Sequence, residues 1–201
     1  MTTDASMNGP EKELQDAAET VPTFVVDGSR SRAAFSIKYL AGRIEGVFTR
    51  ISGSLLFDPA RPDSTAARIE VDTRSLDTGH PERDRHLRAH GFLNADRYPE
   101  IRFASSAARS VSQNVIELTG DLTLHGATNQ IRLKATCISV TEPPEGGRNV
   151  VFDARAEISR RDFGISLPPI LDLADFLVSD RIDLSFDIHA TEHFRPEGAP
   201  V

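Results

Sequence analysis

Apolar and polar residues alternate with a period of two along most of the chain. The segments that show this alternation are residues 33–39, 47–57, 69–71, 116–124, 131–137, 150–158 and 182–188, and a further strand is expected around Ile101 and Phe103. Such alternation predicts β-strands with one buried face and one solvated face. Strands of this kind form antiparallel sheets, because parallel sheets bury both of their faces.

The lengths of these segments and the signals between them predict how the sheet is arranged. Several segments exceed the usual strand length of about 5–6 residues. Short turn signals follow some of them, at residues 59–62, 126–128 and 143–147. Long antiparallel strands without crossover helices favour an all-β fold, an extended, lipocalin-like, eight-stranded antiparallel β-barrel. A β-sandwich is the competing architecture.

Two segments interrupt the strand pattern, and both chain ends depart from it. Within residues 79–98, Pro81 is a signal for the start of a helix and Gly91 a signal for its end, which predicts a short helix near 82–90. Residues 163–178 are apolar but are broken by Pro168 and Pro169, and could plug or cover one end of a barrel. We expect one or two short helical insertions in a single domain over 23–194, a disordered or weakly helical tail over 1–22, and a flexible tail over 195–201.

Composition excludes some function classes. The net charge is −7, from 23 Lys and Arg against 30 Asp and Glu, which argues against a nucleic-acid-binding protein. The single cysteine, Cys137, excludes an intrachain disulfide. The N-terminus lacks the basic start and apolar run of a secretory signal, and no segment approaches the roughly 20 apolar residues that span a bilayer. These features predict a soluble, cytoplasmic protein that is not an integral membrane protein.

The polar candidates each have two interpretations. Arg160 continues the inward face of residues 150–158, so it either pairs with a carboxylate such as Asp84 or Asp162 or anchors a ligand phosphate. His86 and His90 are four residues apart, a spacing that could bind zinc, but no third ligand is fixed and we expect no metal. Known catalytic motifs with a serine elbow, a phosphate loop or paired cysteines are absent from the sequence.

A set of short blocks resembles the YceI-like, polyisoprenoid-binding family of bacterial lipocalin-like barrels. The matching blocks are Asp27 with Ser31, then 35–38 (FSIK), 46–48 (GVF), 52–55 (SGSL), 58–59 (DP), 83–88 (RDRHLR), 92–93 (FL), 97–103 (RYPEIRF), 120–128 (GDLTLHGAT) and 161–165 (RDFGI). These blocks, taken in order, cover the chain from about Phe24 to Thr191. Phe24, Arg30 and Tyr39 depart from the family pattern, which usually has Trp, His and His at these positions.

The resemblance implies a long apolar tunnel that holds an isoprenoid chain, such as that of a quinone or a polyprenyl phosphate, and it suggests a homodimer. No cofactor is implied other than a bound isoprenoid lipid or quinone. We predict a ligand-binding site formed by inward-facing side chains, although each of them could also be ordinary core. The predicted residues are Phe35, Ile37, Tyr39, Leu55, Phe57, Leu122, Phe152, Ala154, Ala156, Phe163, Phe186 and Arg160.

Three function classes are compatible with these features of the sequence. The first is a non-catalytic binding protein that transports, stores or sequesters an isoprenoid lipid. The second is an enzyme that acts on such a lipid at the barrel mouth, with His86, Asp84 and Arg161 as the reacting groups. The third is a protein-interaction adaptor whose barrel is solidly packed. Small inward residues such as Gly53, Gly120 and Ala135 favour an internal cavity, but a tapering barrel would also place them there.

Overall fold

The alternating segments form antiparallel strands in the computed structural model, which describes residues 21–39, 42–144, 146–166 and 178–193. The strands are β1 (Thr23–Val26), β2 (Arg32–Tyr39), β3 (Gly42–Phe48), β4 (Ile51–Leu56), β5 (Ala66–Asp72), β6 (Leu76–Asp77), β7 (Glu100–Ser112), β8 (Val115–Leu124), β9 (Ala127–Thr141), β10 (Asn149–Ser159) and β11 (Val178–Glu192). The predicted tails and most of the predicted plug fall on residues 1–20, 167–177 and 194–201, which lie outside the described residues.

Eight of the strands close into a ring. Their order around the barrel is β1, β4, β5, β7, β8, β9, β10 and β11, and β1 pairs with both β4 and β11. Every pairing is antiparallel. The predicted eight-stranded antiparallel barrel is therefore confirmed, and the sandwich alternative is excluded.

The other three strands lengthen the barrel at one end. Strand β2 pairs with β11 beyond β1, β3 pairs with β2, and β6 pairs with β3. The break between β1 and β2 is an Asx turn, in which the Asp27 carboxylate accepts a hydrogen bond from the Ser29 amide at 2.9 Å. Ser31 then replaces the missing ladder bond, because its hydroxyl accepts from the His189 amide at 2.9 Å. A Cβ atom at Gly28 would lie 2.3 Å from the carbonyl oxygen of Ile51, so this close approach requires glycine.

The prediction of one continuous strand over 47–57 is wrong. The chain breaks between β3 and β4, where Thr49 and Arg50 turn their amides away from the neighbouring strands. The Thr49 amide donates to the carbonyl oxygen of Ser75 at 3.3 Å, and the Arg50 amide donates to the Ser75 hydroxyl at 3.1 Å. The buried face shifts by one position at the break: Phe48 is buried before it and Ile51 and Leu55 after it, so the prediction that Val47 shares a face with Ile51 is also wrong.

One short α-helix, α1 (Pro81–Arg88), is present among the described residues, beside 3₁₀ turns at Pro62–Ser64, Thr73–Ser75 and Arg161–Phe163. Pro81 occupies the first turn, as expected. The helix ends two residues earlier than predicted, because the Ala89 amide closes a tighter turn on the carbonyl oxygen of His86. Buried Asp84 ties the helix to the barrel by accepting from the Thr78 amide at 2.9 Å and the Thr78 hydroxyl at 2.5 Å.

Candidate functional site

The barrel encloses an apolar cavity of about 400 Å³, which we call the main cavity. This volume lies within the range of roughly 300–1,000 Å³ that is typical of small-molecule sites. Its lining comes from β2, β3, β5, β7, β8, β10 and β11, and from α1 with the turn that follows. The apolar lining residues are Ala33, Ala34, Phe35, Ile37, Ile44, Phe48, Ile69, Val71, Leu87, Phe92, Leu93, Ile101, Phe103, Leu122, Leu124, Ile158, Ile165, Val178, Ile182, Leu184 and Phe186.

Among the described residues, three polar side chains, those of Arg83, His86 and Arg160, line the main cavity at the end where β2, β8 and β10 finish and β11 begins. We call this the open end, since His86 lines the cavity there and is exposed to solvent. Arg83 is held by Thr78, donating from Nε to the hydroxyl at 2.8 Å and from Nη2 to the carbonyl oxygen at 2.7 Å. The open end therefore offers cationic and hydrogen-bonding groups beside an otherwise apolar interior.

Arg160 is the buried member of this group, with only 2% of its surface exposed. Its Nη1 donates to the carbonyl oxygen of Ile165 at 3.0 Å, and its Nε donates to the carbonyl oxygen of Ser179 at 3.3 Å. These bonds join the end of β10 to the start of β11. Asp84, one of the carboxylates that the sequence offered as a partner, is instead engaged by Thr78.

The opposite end of the barrel is closed by three aromatic rings. Phe24 is fully buried, its ring centroid lies 6.4 Å from that of Phe57, and Phe57 meets Phe152 edge to face at 4.9 Å. The Arg148 guanidinium lies 5.8 Å from the centre of the Phe24 ring and forms a two-pronged ion pair with Glu192, with both N–O distances at 2.9 Å. This hydrogen bonding lowers the pKa of Glu192 and raises that of Arg148. We call this layer the closed end.

A second, much smaller void of about 50 Å³ lies in the half of the barrel nearer the closed end. Its walls are entirely apolar except for Thr65, and they include the small residues Ala67, Ala135 and Ala154. Ile69, Phe103 and Phe186 line both this void and the main cavity. These three side chains lie between the two voids, and we call them the partition.

The predicted site residues fall into three groups. Phe35, Ile37, Leu122, Phe186 and Arg160 line the main cavity, so the structure brings them together. Leu55, Phe57, Phe152 and Ala154 line the small void near the closed end, where Phe186 also contributes. Tyr39, Ala156 and Phe163 are absent from the lining of both voids.

These last three residues lie outside the two linings for different reasons. Tyr39 is the final residue of β2, and its side chain is 38% exposed rather than enclosed by the cavity. Ala156 lies on the inward face of β10 opposite Leu184, and it is Leu184 that lines the main cavity. Phe163 follows β10 in a 3₁₀ turn and is only 1% exposed, packed as core at the barrel end.

The wall that α1 and the following turn provide was not predicted from the sequence. Arg83, His86 and Leu87 have helical spacings of three and four residues and so lie on one face, which lines the main cavity with Phe92 and Leu93. Leu87 is the one aliphatic residue of the helix, which was the available signal. His90 lies beyond the end of the helix, so the spacing of four from His86 does not place them on a shared helical face.

Metal-binding clusters and membrane-spanning helices are both absent from the part of the chain that the structure describes. Among these residues, no group of three or more His, Cys, Asp or Glu side chains could hold a metal ion. No helix in the described ranges is long and apolar enough to cross a membrane.

The comparisons with known proteins agree with this architecture. A family model described as YceI-like domain matches residues 24–190. A UPF0312 protein of Pseudomonas savastanoi pv. phaseolicola is 37% identical over 148 residues, 72% of this chain and 77% of the relative. Protein YceI of Escherichia coli O17:K52:H18 is 33% identical over 156 residues, 76% and 81% of the two chains.

Solved structures show the same fold. BcnA of Burkholderia cenocepacia superposes with a TM-score of 0.74 at 25% identity, covering 83% of this chain and 99% of that chain. A polyisoprenoid binding domain from Saccharophagus degradans superposes with a TM-score of 0.64 at 15% identity, covering 87% and 100% of the two chains. At that identity the second likeness concerns the fold alone.

Proposed function

The chain belongs to the YceI-like family, and we propose that it is a non-catalytic binding protein that holds an isoprenoid lipid in the main cavity. The observation that carries the proposal is an apolar cavity of about 400 Å³ inside a barrel of this size. A solidly packed barrel, as the adaptor alternative requires, would leave no such space. A domain of the same fold from Saccharophagus degradans is described as polyisoprenoid binding, and we extend that ligand class to this chain as part of the proposal.

The chemistry of the lining suits an isoprenoid chain. Such a chain carries no hydrogen-bonding groups, so its affinity must come from the burial of apolar surface, at roughly 25 cal/mol per Å². Phe35, Leu122 and Phe186 offer aromatic and aliphatic surface from β2, β8 and β11. Their strands also fix the shape of the cavity, because each is hydrogen-bonded on both sides within the sheet. The ligand therefore meets a largely preformed site.

The polar groups set the direction of the ligand. We place the headgroup at the open end, where Arg83 and His86 offer a cation and a ring nitrogen, and the chain towards the partition. A quinone oxygen or a phosphate could accept from these groups, and a phosphate would also gain from the charge of Arg83. Arg160 holds the end of β10 against the start of β11 beside this group, so it shapes the open end.

A binding experiment with chemical analysis of the ligand tests the proposal. The protein is incubated with a short-chain isoprenoid ubiquinone or with farnesyl diphosphate, separated from free lipid and extracted. We expect uptake near one molecule per chain and recovery of the lipid unchanged. If the wild type converts the lipid to another compound and His86→Ala does not, the enzyme alternative is supported instead. If the protein takes up neither probe, the adaptor alternative is supported. A cytoplasmic location and a homodimer remain predictions.

A further inference from the structure

The partition between the two voids is formed from opposite walls of the barrel. Phe103 lies on β7 and Phe186 on β11. Around the ring, β8, β9 and β10 separate these strands on one side, and β5, β4 and β1 separate them on the other. The two strands are therefore diametrically opposed, and the two rings reach into the interior from facing sides. Ile69 pairs with Phe103 across the β5–β7 ladder and widens that side of the partition.

Within the partition, the Phe186 ring determines how wide the space between the main cavity and the small void is on the β11 side. Its neighbours across the two adjoining ladders are Ala33 on β2 and Ala154 on β10. Ala33 lines the main cavity and Ala154 lines the small void. Since alanine side chains cannot reach across the barrel, the space between the voids on this side is occupied by the Phe186 ring.

We propose that this partition is a length stop, and that the protein selects isoprenoid chains that end at Phe186. The inference rests on the proposed function, because it concerns how far the same ligand enters. Beyond the partition the small void offers only about 50 Å³, and the closed end behind it is filled by Phe57 and Phe152. A chain longer than the main cavity must therefore leave its additional units outside the cavity, beyond the open end, where they gain none of the burial that the cavity provides.

Affinity as a function of chain length tests the stop. Wild-type protein is titrated by calorimetry with geranyl, farnesyl, geranylgeranyl and solanesyl diphosphates, which share one headgroup. Affinity should rise by about tenfold or more with each unit that enters the main cavity and then remain constant for longer chains. Phe186→Ala, which joins the two voids, should move this plateau to a longer chain. The milder Phe186→Leu should move it in the same direction if the alanine variant fails to fold.

Leu133→Ala provides the matched control. Leu133 lines the small void but not the main cavity, so its truncation enlarges the space behind the partition without opening the way to it. The plateau of this variant should coincide with that of the wild type. Affinity that keeps rising up to the longest chain in the wild type, or a plateau that is unchanged in both Phe186 variants, would refute the length stop alone. If the wild type binds none of the diphosphates and also takes up no isoprenoid ubiquinone, both the stop and the proposed function are refuted; if it takes up only the quinone, ubiquinones of increasing chain length replace the diphosphates in the same series.

Discussion

Filling the main cavity should abolish lipid binding without unfolding the barrel, and Ala33→Phe is the substitution best placed to do so. Ala33 lines the main cavity, is only 3% exposed, and lies on β2 between the ladders to Phe48 and Phe186. A phenyl ring at this position enters space that is already empty. The usual overpacking cost of about 1–3 kcal/mol should therefore be largely avoided.

The expected loss of affinity follows from the volume that the new ring takes. A phenyl ring displaces roughly one isoprene unit, whose five carbons contribute about 0.8 kcal/mol each when buried, or about 4 kcal/mol at most. A ligand that shifts towards the open end would recover part of this burial, which leaves a loss of about 2–4 kcal/mol. That range corresponds to roughly 30-fold to 700-fold weaker binding.

Calorimetric titration with farnesyl diphosphate measures the affinity, and urea unfolding followed by circular dichroism measures the stability. Ala135→Phe is the matched control, because Ala135 lines only the small void, where a phenyl ring has no room. It should cost about 1–3 kcal/mol of stability and leave the affinity within a few-fold of wild type. Wild-type affinity in Ala33→Phe, with the fold intact, would refute the main cavity as the binding site.

Three further predictions concern stability and reactivity. Glu192→Gln should lower the free energy of unfolding by about 1–2 kcal/mol at pH 7. Because Arg148 lowers the folded-state pKa of Glu192 below its unfolded value, the difference should fade as the pH falls through that lowered pKa, which urea titrations at pH 7 and about pH 3 would show. Gly120→Ala should cost about 1–3 kcal/mol in urea unfolding, since its Cβ would lie 2.4 Å from the carbonyl oxygen of Ala104 on β7. Burial raises the pKa of the Cys137 thiol, so iodoacetamide at pH 8 should alkylate it more slowly in the native protein than in urea, and equal rates would contradict this.

The strands and the main wall of the site could be predicted from the sequence because they depend on a local rule. Side chains in a strand point to alternate faces, so the period of two identified which residues face inward. Phe35, Ile37, Leu122 and Phe186 follow this rule and line the main cavity. The antiparallel pairing and the eight-stranded barrel followed from the same pattern together with the strand lengths and turn signals, whereas β1 and β6 were not predicted.

The features that were missed depend on contacts between distant segments. The position of the partition depends on which side chains face the interior from opposite walls, and Phe103 and Phe186 are far apart in the sequence. The strand break at Thr49 depends on Ser75, which belongs to another turn. Leu87 and Phe92 line the cavity only because Asp84 fixes α1 against the barrel through Thr78. Periodicity within one segment carries no information on any of these contacts.

Native mass spectrometry of the protein purified from its own host, followed by organic extraction of the bound material, tests the central claim most directly. We predict an isoprenoid lipid at close to one molecule per chain, released unchanged and absent from Ala33→Phe prepared in the same way. A stable wild-type protein that is recovered empty, and that also takes up neither quinone nor prenyl diphosphate when these are added, would contradict the account.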